Sequence, residues 1–105
     1  MRKISKSQVK QVKDDVTYFF LIDDTDKGAM LSAAQRRKNE NGVNSLVKRE
    51  GGQCRLYATT GAACDFISVI SGISPAAAIR IAAGIEKGGA VKATLVSGLE
   101  LFSPS

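Results

Sequence analysis

Short runs of apolar residues alternate along this chain with two stretches of helical spacing. The first run, Val16-Thr17-Tyr18-Phe19-Phe20-Leu21-Ile22, is dense in β-branched and aromatic residues and predicts a strand. Apolar residues occupy both of its faces, whereas a strand wet on one side alternates with polar ones. Each face therefore needs a cover. Asp23-Asp24-Thr25-Asp26 closes the strand, and acidic residues beside a hydroxyl suit a helix N-terminus. Met30, Ala33, Ala34 and Arg37, then Val43, Leu46 and Val47, recur at helical spacing. They predict one helix over about residues 26–50, loosened at Asn41-Gly42 and ended by Gly51-Gly52.

Residues 53–59 and 65–71 predict two further strands, joined through Thr60-Gly61-Ala62-Ala63 as a hairpin connection. On the second of them Phe66 and Ile70 take one face, Ile67 and Val69 the other. Ser74-Pro75 is a helix start, a capping hydroxyl followed by proline at the first helical position. The helix runs over 76–87 and stops at Gly88-Gly89. Val91 to Phe102 is the last strand, bent at Gly98, and residues 103–105 are a frayed end.

The order strand, helix, strand, strand, helix, strand predicts an α+β domain: a ferredoxin-like β-α-β-β-α-β unit, with a four-stranded antiparallel sheet and two helices on one face. The first and third strands are central in that topology, and both are apolar on two sides. The helices cover one side only. The open sheet face is expected to meet a second copy, giving a homodimer or a higher oligomer of dimers.

Composition changes this picture little. Hydrophobic residues make up 44% of the 105, enough for one core and too short a chain for two. The formal net charge is +5, and residues 1–15 supply most of it through Arg2, Lys3, Lys6, Lys10 and Lys13 against Asp14 and Asp15. Those residues read as a basic, flexible arm. A solvated tail is preferred there to an arm that touches nucleic acid or an acidic partner. The folded part is 16–102. No apolar run reaches signal-peptide or membrane-span length, so a soluble, cytoplasmic protein is expected. Two cysteines without a CxxC pattern fit a reducing compartment.

Several of these residues resemble the GYD family. Asp24-Thr25-Asp26-Lys27-Gly28 is similar to the T-x-x-G opening of that family's first helix, and Arg37 falls where an arginine is frequent. Gly51-Gly52 resembles the double glycine before the second strand. Asp65-Phe66 resembles part of the Gly-x-Tyr-Asp stretch that names the family, and Val91-Lys92-Ala93-Thr94-Leu95 its closing strand. Cys64 stands where the motif has tyrosine, and Ala62 where it has glycine, with Gly61 one position early. The resemblance spans about residues 16–102. It implies a ferredoxin-like fold and a dimeric α/β-barrel, and it implies no activity.

The chain contains no histidine, the commonest general base and metal ligand. A proximal histidine for haem, which some related dimeric barrels bind, is missing too. No cofactor and no metal site are expected. Asp23, Asp24 and Asp26 suit capping better than magnesium. Cys54 and Cys64 fall at different distances from the hairpin turn, too far apart for a disulfide. Cys64 is a candidate reactive thiol, with an inert small residue near a turn the preferred reading. Asp65, paired with Arg37, is a candidate ligand contact or acid/base, against a structural turn role. Tyr18 and Tyr57 are candidates to present hydroxyls to a cavity, against core or interface packing. Asp65, Arg37, Tyr18, Tyr57 and Cys64 thus form the candidate ligand set.

Three functions follow, in order. The first is a ligand- or partner-binding module that works as a homo-oligomer without catalysis. The second is a cofactor-independent enzyme acting on a small apolar substrate, with Asp65 as acid/base. A pocket of several hundred Å³ lined by a few convergent polar groups favours the second; a filled cleft, packed by side chains such as Phe19 and Phe66, favours the first. RNA binding is the outsider, because the third strand offers only Phe66 for base stacking.

Overall fold

The computed structural model describes residues 16–60 and 63–101. The N-terminal arm, Gly61, Ala62 and residues 102–105 lie outside them. The chain runs β1 (Val16–Asp24), α1 (Asp26–Ala29), α2 (Ala33–Arg49), β2 (Gln53–Ala58), β3 (Phe66–Ser71), α3 (Pro75–Glu86) and β4 (Val91–Leu99). The strands form one antiparallel sheet in the order β2-β3-β1-β4. This is the expected ferredoxin-like arrangement, with β1 and β3 central.

Strand periodicity sorts the core. Tyr18, Phe20 and Ile22 on β1 and Ile70 on β3 point to the helices and are buried. They pack with Val47 of α2 and with Ala77, Ala78 and Ile81 of α3 in one cluster. The opposite face carries Phe19 and Leu21 of β1, Ile67 and Val69 of β3, Tyr57 of β2 and Val96 of β4. Register aligns them in two rows: Val69, Phe19 and Val96 in one, and Tyr57, Ile67 and Leu21 in the other. Phe66 turns to the helix side and Phe19 to the open side, so the two rings never share a face.

The first helical region differs from expectation. It is two helices, because Ser32 makes its own N-terminus. The Ser32 hydroxyl accepts from the Gln35 amide at 3.2 Å, and the Gln35 side chain accepts from the Ser32 amide at 3.0 Å. This reciprocal capping box satisfies donors that a continuous helix would have bonded internally. Thr25 caps α1 in turn, accepting from the Gly28 amide at 3.2 Å. Asn41-Gly42 does not interrupt α2.

The other boundaries follow local chemistry. Gly51, at φ +83°, ends α2: its amide donates to the Lys48 carbonyl and that of Gly52 to the Val47 carbonyl, the pairing of a Schellman cap. Ser74 caps α3 through the Ala77 amide at 3.1 Å, with Pro75 at the first position. β1 extends two residues beyond Ile22, because Asp23 and Asp24 pair with Lys92 and Val91. β4 ends at Leu99, and β2 and β3 are each one residue shorter than expected.

Candidate functional site

The helices leave part of their side of the sheet uncovered. Val43, Leu46 and Val47 seat the C-terminal half of α2, while the preceding Gln35–Asn41 stretch contains no apolar side chain to bring it down. The space beneath is a cleft of about 560 Å³, open to solvent at one side. Ile22, Phe66, Leu56, Val43, Leu46 and Ile85 give it apolar walls, and its polar side chains include Asp24, Arg36, Lys38, Asn39, Glu40, Asn44, Cys54 and Ser68.

The mouth is built on Arg36. Its Nη1 donates to Asp24 Oδ1 at 3.2 Å and its Nη2 to Oδ2 at 3.0 Å, a bidentate pair. Nη2 also donates to the Gly28 carbonyl at 2.7 Å, and the guanidinium carbon stands 6.0 Å from the centre of the Phe66 ring. The hydrogen bonds to Asp24 raise the Arg36 pKa above the ordinary arginine value, against a smaller opposing effect of desolvation. The loop after α3 closes the same end. The Thr25 hydroxyl donates to the Gly89 carbonyl at 2.6 Å, and Lys27 Nζ to the Gly88 carbonyl at 2.8 Å.

Further in, Ser68 lies on β3 beside Phe20 of β1 and Leu56 of β2. Among the described residues it is the one buried polar residue of the core side, 2% exposed. Its Oγ is 3.2 Å from Cys54 Sγ.

The structure does not gather the five sequence candidates around this cleft, and none of them lines it. Tyr18 is core. Tyr57, half-exposed, lies on the open sheet face. Arg37 is exposed on α2, one residue out of phase with the face that carries Arg36 and Val43. Cys64 is buried at the β2–β3 connection, where its carbonyl accepts from the Thr59 hydroxyl. Asp65 prolongs the pairing of β3 with β1. Its Oδ2 accepts from the Asp24 amide at 2.9 Å, and its own amide donates to the Ile22 carbonyl and to Asp23 Oδ1. Asp65 and Arg37 therefore do not form the expected pair; Asp24 and Arg36 do.

Sequence reasoning missed Arg36, Asp24, Ser68 and Cys54 as cleft residues. A signal existed for the first. Arg36 precedes Val43 by seven residues, two helical turns, and so shares its face once the helix is started at Ser32. Among the described residues, no group of three or more His, Cys, Asp or Glu side chains is arranged to hold a metal. The cleft's donors do not fit a histidine-ligated haem, since the chain has no imidazole to offer. No helix among the described residues is long and apolar enough to cross a membrane.

No protein-family model and no curated protein matches the chain. Solved structures do. Two mutant forms of chlorite dismutase from Candidatus Nitrospira defluvii, the first in complex with cyanide, superpose at TM-scores of 0.59 and 0.58 with 14% and 13% sequence identity. The match covers 97% and 96% of this chain but 46% of each chlorite dismutase chain. The likeness is one of fold, and the chain spans less than half the length of these neighbours.

Proposed function

We propose that this chain is a small homo-oligomeric module, GYD-like in sequence, that binds a small, largely apolar molecule in the cleft between sheet and helices and performs no catalysis of its own. The open cleft supports the binding of a small molecule, and catalysis is ranked second because Asp65, the expected acid/base, is tied to β1 outside the lining. The cleft volume of about 560 Å³ falls within the roughly 300–1,000 Å³ of small-molecule sites, and apolar walls with a few polar groups are the usual lining. The test is a titration with the apolar dye N-phenylnaphthylamine. Wild type is expected to give saturable fluorescence enhancement, and Val43→Trp, which fills the cleft from α2, to weaken it several-fold. Equal binding by a folded Val43→Trp protein would overturn the reading.

The working unit is proposed to be a pair joined through the open sheet face. Six apolar side chains lie there in two aligned rows, with Val96 and Tyr57 at 42% and 49% exposure. Covering what remains of each contributes about 1 kcal/mol, on the order of 10 kcal/mol across a pair. That is comparable with the cost of association, so the dimer is expected to depend on concentration. Two copies also approach the length of one chlorite dismutase chain, given the 46% coverage.

Cofactor-independent catalysis on a small apolar substrate is the second reading, and the same open cleft favours it. Asp65 is a poor acid/base for it, being tied to β1 outside the cleft lining. RNA stacking draws no support from Phe66, whose ring belongs to the cleft wall.

A further inference from the structure

We infer that the molecule this cleft selects carries one uncharged hydrogen-bonding group, a hydroxyl or a carbonyl, at its buried end, and that Ser68 is the residue that reads it. The inference rests on the cleft being the binding site.

Ser68 stands on a central strand among apolar neighbours, where valine or isoleucine is the usual occupant. Its hydroxyl has one donor and two acceptor positions. Among the described residues its only side-chain partner is the Cys54 thiol, at 3.2 Å. A thiol is a weak donor and a weak acceptor, so Ser68 keeps hydrogen-bonding capacity, and it lines the cavity. A ligand oxygen placed there takes up that capacity. A wholly apolar ligand would leave the hydroxyl with only sulfur to meet it.

Charge is selected against at the same place. The cleft-lining cations are Arg36 and Lys38 on α2, and Arg36 is already committed to Asp24 and the Gly28 carbonyl. Ser68 is level with Phe20, four residues before Asp24 on β1, which places it roughly 13 Å along the strand from Asp24. A carboxylate beside Ser68 would be partly desolvated, with the Arg36 guanidinium already spent on Asp24. Phenols and ketones fit this floor; carboxylic acids and plain hydrocarbons fit it less well.

Three fluorescent probes of one shape separate these classes: naphthalene, naphthol and naphthoate, titrated against the full chain. Wild type is expected to bind naphthol roughly 3- to 10-fold more tightly than naphthalene, the worth of one net hydrogen bond, and naphthoate most weakly. Ser68→Ala should abolish the naphthol preference, with naphthalene bound at least as tightly as by wild type. Ser68→Thr, which keeps the hydroxyl, should retain the preference. Naphthalene and naphthol binding equally to wild type, naphthoate binding best, or a preference that survives Ser68→Ala would overturn the inference while the cleft still binds. Failure of all three probes to bind would overturn the cleft reading and this inference with it.

Discussion

Arg36 grips the Asp24 carboxylate end-on, with both oxygens engaged at 3.0–3.2 Å, and so fastens the N-terminal half of a polar helix to the end of a central strand. The apolar residues of α2 do not reach this far. The ion pair, with its third bond to the Gly28 carbonyl, sets how wide the cleft stands at its mouth. A bidentate arginine holds direction as well as distance, which a lysine cannot.

Arg36→Ala is therefore expected to lower the melting temperature and to loosen the mouth, seen as faster hydrogen exchange over residues 33–42. Arg37→Ala, one position along, changes an exposed side chain and should stay within about 0.5 kcal/mol of wild type. Parallel melts of the two variants check this. Equal losses would refute the assignment of Arg36.

The pH response has a definite sign. A group whose pKa is raised on folding contributes fully below its unfolded value and loses that contribution only as pH climbs through the folded one. The Arg36 pKa lies above the already high ordinary value of arginine, so the pair persists from pH 7 to 11. An Arg36→Lys protein carries a group that titrates near about 10.4. Its stability relative to wild type should fall further between about pH 9.5 and 11, measured by urea melts of both proteins.

Gly28 is the tightest backbone approach at the mouth. A Cβ there would collide with the Ala90 carbonyl oxygen and meet Asp24 Oδ1 at 3.0 Å. The nearer obstacle is a backbone carbonyl that accepts from the Thr25 amide at 3.0 Å, so backbone must move. Gly28→Ala should destabilise by about 2 kcal/mol or more by chemical denaturation.

Phe19 and Phe20 are neighbours with opposite duties. Phe20 is fully buried under the helices, and Phe20→Ala should cost about 3–5 kcal/mol. Phe19 lies on the open face, its ring over Gly98, where an added Cβ would meet it at 3.2 Å. Phe19→Asp is expected to leave the fold intact and to convert a dimer into a monomer by sedimentation velocity. A wild-type protein that stays monomeric at high micromolar concentration would contradict the pairing.

The strands and their order were legible because apolar periodicity reports burial directly, and the two-faced strands β1 and β3 did turn out central. Ser74-Pro75 and Gly51-Gly52 were legible because capping is local chemistry. The Ser32–Gln35 box was equally local, yet the aliphatic spacing that starts at Met30 hides it, and Met30 is 87% exposed. That spacing, with the arginine position of the resembled family, points to Arg37 in place of Arg36. The cleft was not legible at all. Its existence depends on how far α2 stands from the sheet, which is a balance between Val43, Leu46 and Val47 at one end and a long-range ion pair at the other. Ser68 looks ordinary in sequence and matters only because its neighbours across the sheet are Phe20 and Leu56.

The central claim is that small molecules enter between sheet and helices. Amide chemical-shift mapping of ¹⁵N-labelled protein with naphthol tests it most directly, because the two faces of the sheet carry different residues. Shifts should saturate together at Val43, Cys54, Ser68 and Ile85, with Tyr57 and Val96 unmoved. Shifts confined to Tyr57, Val69 and Val96 on the open face, or none at saturating naphthol, would contradict it.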